Sequence, residues 1–339
     1  MPVTAGDSTM MSWAQERMLR DRKNRPARIV PILKKFTPLV EDMPVFPCNA
    51  ENVHDTFWDH ALPGDSWGVL NRGTPVSEGD TTTVTDTCAN IAREASIDQR
   101  ILKKSSNPAH TKMVRSKRFF MSIAQQQERN FFLGNRNTTP DGVHGLAPRY
   151  GTIAGNPFSN QIVDGGGTGT DNASIWLVGW GEEGVHGIYP ESSDEVGITH
   201  TPRGVNAKTD ATGRFWTEDD SYGLDTGLAV ANPGAVVRIC NIDRSLLNFA
   251  ATGTSANLLR LLRTAYHRAT GFAAIGDLKW CIYLDGQIFE FLDHHAQEAN
   301  TNTFLSYRES GPNQPLMLTY REMRVRKADM LRPDEARVV

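Results

Sequence analysis

The chain has 339 residues, 39% hydrophobic and 22% charged, with a formal net charge of -3 at pH 7. That length buries a sizeable core and accommodates one large domain or two to three smaller ones, while the near-neutral charge excludes a chain-wide basic field, so any nucleic-acid contact must be local. No apolar run long enough to span a bilayer is present and the N-terminal segment lacks a signal-peptide core. An aqueous, reducing compartment is therefore expected, with Cys48, Cys88, Cys240 and Cys281 as reduced, partly buried thiols too widely spaced for a CxxC motif.

Residues 1 to about 50 crowd Arg17, Arg20, Arg22, Lys23, Arg25, Arg28, Lys34 and Lys35 among Pro26, Pro31, Pro38, Pro44 and Pro47. The prolines prevent a long helix, so an extended basic arm is expected, either touching nucleic acid or an acidic partner or simply solvated. Residues 60–100 are rich in Gly, Thr and Ser, with short alternating runs at 67–70 and 81–85. They predict a long two-stranded excursion with too little apolar surface for a core of its own. Residues 109–133 predict a helix opened by Pro108 and ended by Gly134, roughly 37 Å long. Met113, Phe120, Ala124 and Phe131 share one face, and Arg115, Arg118, Ser122, Gln126 and Arg129 the opposite one, which suits DNA or plain solvent.

The loop "GGGTGTDN" (165–172) has neither the Lys-Ser/Thr of a P-loop nor GxGxxG spacing. It leads into "SIWLVGWGEEGVHGIYPE" (174–191), where Trp176, Val178 and Trp180 alternate with Ile175, Leu177 and Gly179. Both faces are apolar, which predicts a strand covered on both sides; residues 181–184 then predict a turn and 185–189, ending in Tyr189, a returning hairpin partner. Another strand is expected at 235–242. A helix capped by Ser255 should face Leu258, Leu262, Ala265 and Ala269 inward and Arg260, Arg263 and His267 outward. A buried strand at 279–284, a helix capped by Asp285 and a half-buried strand alternating Met323 and Val325 with Arg324 and Arg326 follow. Strands and helices mix without strict alternation, which predicts an α+β fold.

No catalytic constellation emerges. His294 and Glu298, with His295 beside them, have one-turn metal-like spacing, but HExxH and GxSxG are absent and no cysteine is near in sequence. Glu182–Glu183 and Asp219–Asp220 are adjacent pairs in loop-like sequence, and His186 fits a structural histidine. Thus no catalytic, cofactor or metal residue is expected. The rival readings are a carbohydrate- or peptide-binding module using Trp176 and Trp180, and a metal-dependent hydrolase using His294, His295 and Glu298. The arm, the excursion and the strut helix each need burial against another molecule, which points to a self-assembling structural protein.

The series "TDTCANIAREASIDQRI" (85–101), "ERNFFLGN" (128–135), "GLAPRYG" (145–151), "GGTGTDNASIWLVGWGEEGVHGIYPESSDEVGI" (166–198), "AVVRICNID" (235–243) and "MRVRKADMLRPDEARVV" (323–339) resembles, in order, the major capsid proteins of tailed bacteriophages. The resemblance covers most of the chain beyond residue 60 and implies the Hong Kong 97-type fold. It implies an N-arm over 1–55, an E-loop over 56–104 and a P-domain spine helix over 105–145. P-domain strands and an A domain then fill 146–314, and a P-domain strand closes at 315–339. The implied function is self-assembly, as pentamers and hexamers, into an icosahedral virion shell enclosing double-stranded DNA, in a chain made in the bacterial host cytoplasm. Scaffolding, portal and decoration proteins would be partners, with non-specific DNA contact and no membrane. Arg115, Arg118 and Arg129 would face inward, Arg17 to Arg28 would serve the N-arm, and Trp176, Trp180 and Tyr189 would form a structural hairpin core. The loop after Tyr189 and Pro190 departs from the expected Lys and Gly by carrying Glu191, Asp194 and Glu195. The lysine–asparagine cross-links of some capsids of this fold are assigned to no residue here.

Overall fold

A computed structural model of the chain describes residues 37–339 apart from 69, 75, 106, 156–157, 192–196, 212, 248–256, 271–277, 298–304, 310–315 and 332–334. The basic N-terminal positions Arg17, Arg20, Arg22, Lys23, Arg25 and Arg28 lie outside the described residues. In chain order the elements begin with α1 (Pro38–Asp42), β1 (Val45–Pro47), β2 (Val53–Ala61), β3 (Asp80–Thr87), β4 (Ala89–Asp98), α2 (Gln99–Lys104) and α3 (Pro108–Leu133). Next come α4 (Leu146–Arg149), β5 (Ile162–Asp164), β6 (Asn172–Trp180), β7 (Val185–Tyr189), β8 (Thr199–Asp210), β9 (Gly213–Val230) and β10 (Val236–Asp243). The last are α5 (Leu258–Thr270), β11 (Lys279–Leu284), α6 (Gly286–Gln297), β12 (Leu305–Glu309), β13 (Leu316–Tyr320) and β14 (Met323–Lys327). Two compact units divide them: one holds Asn90–Gln127 and Ser193–Asp225, the other Phe36–Ala89, Glu128–Ser192 and Thr226–Val339.

The larger unit is organised around β6. Every residue of β6 is buried because each face meets its own apolar cluster. Trp176, Val178 and Trp180 pack with Phe131, Phe132, Val143, Leu146 and Tyr150. Ile175 and Leu177 pack with Leu258, Leu262, Ala265 and Ala269 of α5 and Ile288 and Leu292 of α6. At about 1.5–3 kcal/mol for each large side chain taken fully out of water, this strand is a principal source of the unit's stability. The two-sided apolar alternation in the sequence is thus a strand between two layers.

Both edges of β6 are occupied, by β10 and by β11, each antiparallel. That occupancy corrects the hairpin expected at 174–189. After the turn at Gly181–Gly184 the chain meets β6 only at Trp180↔Val185, in a parallel bridge. β7 instead pairs parallel with β1 and antiparallel with the end of β9. A Cβ on Gly184 would lie 2.5 Å from the Gly179 carbonyl oxygen, so the tight exit from β6 requires glycine there. Beyond β11 the sheet continues through β14, β13 and β12, and beyond β10 it ends at β5.

α5 starts later than the sequence suggested. Its first-turn amide at Arg260 donates to Asn257 Oδ1 at 3.0 Å, so Asn257 caps it; Ser255 lies outside the described residues. Asp285 caps α6 as expected, accepting from the Gln287 amide at 3.3 Å.

In the smaller unit β8 and β9 form a long antiparallel hairpin from Thr199↔Gly223 to Asp210↔Gly213, and β4 lies beside β9. The N-terminal part of α3 closes a compact cluster there. Ile123, Phe119 and Phe120 pack with Ile91, Ala95, Tyr222 and Leu224, Phe119 stacks on Tyr222 with centroids 5.0 Å apart, and the Ser116 and Tyr222 hydroxyls share a hydrogen bond of 2.7 Å.

Candidate assembly surfaces

The two-stranded excursion exists with a different strand assignment. β2 and β3 pair antiparallel from Val53↔Thr87 to Ala61↔Asp80 as a separate two-stranded sheet. The outgoing strand is thus Val53–Ala61, and the alternating run at 67–70 lies in the exposed connection. That connection carries large, exposed apolar side chains: Trp67 is 97% exposed, Leu70 93%, Val76 94% and Leu62 85%. Isolated exposed hydrophobics are ordinary, but four within one protruding loop mark an interaction surface.

The root of this arm is held firmly. Trp58 Nε1 donates to the Val230 carbonyl at 3.2 Å, and its ring meets Phe158 edge-on at 5.2 Å. Asp86, which is buried, is ion-paired to half-buried Arg149 and accepts from the Val230 amide at 3.3 Å. Arg136 bonds the Thr87 hydroxyl. A rigid root and an apolar tip suit an element that docks on something else.

The three arginines of α3 stand in different surroundings. Arg118 and Arg129 are exposed. Arg115 is half-buried, donates from Nη2 to the Ser96 carbonyl at 2.8 Å and lies 6.0 Å from the centroid of Phe119. This corrects the single solvated stripe: β4 reaches Arg115 and leaves the other two free of that role. Met113, expected on the covered face, is 47% exposed, whereas Ile123, Gln127, Glu128, Phe131 and Phe132 are the buried helix positions.

Trp176 and Trp180 are 0% and 2% exposed, which contradicts the binding-module reading that needed them at the surface. Arg238 lies 4.8 Å from the centroid of Trp176 and pairs with Glu335 at 2.9 Å. Trp180 Nε1 donates to the Tyr283 hydroxyl at 2.8 Å, and that hydroxyl donates to Asp42 Oδ2 at 3.1 Å. Asp42 also receives Arg326 at 2.9 and 3.0 Å and Lys279 at 3.3 Å, so α1, β11 and β14 meet at one buried carboxylate. Tyr189 is only half-buried and belongs to the β1–β7 pair.

The other sequence candidates lie apart, His186 in a packed interior and His294 at the surface. Burial pushes the pKa of His186 down, with His54 adding to the effect, and its ring packs edge-on against Phe46 and His54, each at 5.2 Å. His294 is exposed and 3.9 Å from Glu290; Glu298 and the His295 side chain lie outside the described residues, and among the described residues no group of three metal-ligating side chains occurs. The glycine-rich loop is a packing device. Gly165 and Gly167 donate to the Cys240 and Asn241 carbonyls at 2.8 Å each, and a Cβ on Gly167 would sit 2.5 Å from the Asn241 oxygen.

One feature has no clear sequence signal. Asn241 adopts φ 55° at an irregularity in β10, and its side chain bonds the Val338 carbonyl and amide at 2.8 Å each and Asp164 Oδ1 at 2.9 Å. An asparagine tolerates this backbone region better than most residues, and here it fastens the chain terminus to the core.

The family model described as major capsid protein GP7 matches residues 21–339. A structure of bacteriophage Epsilon15 is similar with a TM-score of 0.75 and 25% sequence identity, covering 99% of this chain and 100% of that one. The capsid of bacteriophage JBD30 is similar in fold, with a TM-score of 0.50 and 8% identity over 90% of this chain and 99% of that one. No curated protein matches the chain.

Proposed function

The chain belongs to the family of the major capsid protein GP7, and from that premise we propose how its copies grip one another in the shell. It is a coat protein of the Hong Kong 97-type fold that oligomerises into a tailed-phage capsid. In our reading the β2–β3 arm is the E-loop and lies across a neighbouring copy, while α3 is the spine helix of the P domain. The copies form pentamers and hexamers that close into an icosahedral shell around double-stranded DNA, made in the host cytoplasm with the help of scaffolding, portal or decoration proteins.

The observation that carries this reading is the uncovered tip of the arm, above all Trp67. Burying an indole removes about 200 Å² from water, worth roughly 5 kcal/mol as an upper bound. Closure repeats each contact around the shell, so contacts that are weak singly still hold the particle together. Arg118 and Arg129 face the packaged DNA, and a near-neutral subunit keeps that attraction weak, because each phosphate contact adds counterion-release affinity.

The test is the Trp67→Asp, Leu70→Asp double variant, which alters only exposed positions. Light scattering and electron microscopy should find folded subunits or capsomers without closed shells. Shells at the parent's yield would overturn the reading.

A further inference from the structure

Cys48 follows β1, and Cys88 sits between β3 and β4, so two cysteines stand at the entry and the exit of the arm. They are 40 positions apart in sequence, yet their sulphur atoms lie 3.4 Å apart in a buried contact. The backbone fixes both. The Cys48 amide donates to the Tyr189 carbonyl at 2.8 Å and the Cys88 amide to the Asn52 carbonyl at 3.1 Å. Between them Ala50 and Val53 exchange backbone hydrogen bonds of 3.0 and 2.7 Å, and Ile188 and Ala229 pack around the pair. Bringing the sulphurs from 3.4 Å to a bond of about 2.0 Å asks for roughly 0.7 Å from each, within reach of side-chain rotation.

We propose that Cys48 and Cys88 are a disulfide-forming pair that locks the root of the β2–β3 arm when the protein meets a low-molecular-weight disulfide such as oxidised glutathione. Cys88, 9% exposed against 3% for Cys48, loses its proton to solvent and attacks the small disulfide, forming a mixed disulfide and releasing one small thiolate. The Cys48 thiolate then attacks the Cys88 sulphur and expels the second small thiol. Two protein thiols are oxidised and one small disulfide is reduced to two thiols, so electrons and protons balance. Burial raises the Cys48 pKa while its hydrogen bond to Cys88 offsets part of that, so the reaction is slow and follows local opening of the root. The product fixes the spacing of the two strands where they leave the core and leaves the apolar tip unchanged.

Cys240 and Cys281 are internal controls. Both are fully buried in other parts of the larger unit, and burial pushes their thiols up to about 11 and about 12 respectively. The folded, purified protein is incubated with oxidised glutathione, quenched in acid, alkylated in denaturant and digested with trypsin without reductant. Cleavage after Lys35, Arg72 and Arg93 places Cys48 in residues 36–72 and Cys88 in residues 73–93. The expected result is one cross-linked species of these two peptides, two hydrogens lighter than their sum and separated by reductant, with Cys240 and Cys281 alkylated. In Cys48→Ser the same treatment should stop at a glutathione adduct on Cys88. Recovery of Cys48 and Cys88 as separately alkylated peptides after prolonged oxidation, or of a glutathione adduct on Cys88 in the unsubstituted chain, would overturn the proposal. The outcome does not depend on whether the arm docks on a neighbour.

Discussion

Replacing Glu128 by glutamine should stabilise the folded subunit, and by an amount that grows with pH. Glu128 lies on the core side of α3, is 0% exposed, and among the described residues neither carboxyl oxygen has a hydrogen-bond partner. Burial, with smaller contributions from Asp329 and Glu41, raises its pKa from 4.5 to about 8. A carboxyl whose folded pKa lies above its unfolded value binds its proton more tightly when folded. The contribution to stability is therefore fully present below pH 4.5, declines at about 1.4 kcal/mol per unit as the pH rises, and levels off above the folded pKa of about 8. At pH 7 keeping the group protonated costs on the order of 3 kcal/mol, and above pH 8 the cost reaches about 5 kcal/mol. Glutamine keeps the shape and has no such cost. Urea unfolding of dispersed subunits, followed by tryptophan fluorescence at pH 5, 7 and 9, should show a Glu128→Gln advantage that widens with pH. An advantage that is absent, or equal at all three pH values, would refute the burial argument.

Three further outcomes are expected. Asp42→Asn should cost about 3 kcal/mol in the same urea assay, because it removes the charge on which Arg326 and Lys279 converge. Gly167→Ala should destabilise by roughly 1–3 kcal/mol or lower soluble yield, since the new Cβ meets the Asn241 carbonyl at 2.5 Å. Arg118→Glu with Arg129→Glu should leave the melting temperature within about 1 °C, as surface changes do, and reduce the yield of DNA-filled particles in complementation. Equal filled-particle yield would remove these arginines from any role toward DNA.

The periodic elements were legible because their signals are local. A short apolar run rich in β-branched and aromatic residues and closed by glycines fits a strand between two layers, and β6 has one cluster on each side. Likewise Pro108 and Gly134 bracket a 26-residue helix, and Asp285 caps α6. The separate capsid-family resemblance rests on strings such as 166–198 in order, and the family match covers them. Local signals gave no account of partners. The turn at 181–184 looks like a hairpin connection, yet β10 and β11 already hold both edges of β6, so β7 must pair elsewhere.

The site residues divide in the same way. Helical spacing placed Arg115 with Arg118 and Arg129, but Arg115 alone donates to the carbonyl of Ser96, and spacing along one helix cannot report a strand beside it. Four well-separated cysteines carried no motif, and only the folding that brings residues 48 and 88 to the root of the arm makes two of them neighbours. Local pattern carried β6 with its two buried faces, the span of α3 and the Asp285 cap of α6, because propensity and apolar period act within a few residues. Tertiary structure decided strand partners, the Asp42 hub and the cysteine pair, because contacts between distant residues depend on chain crossings that no local pattern encodes.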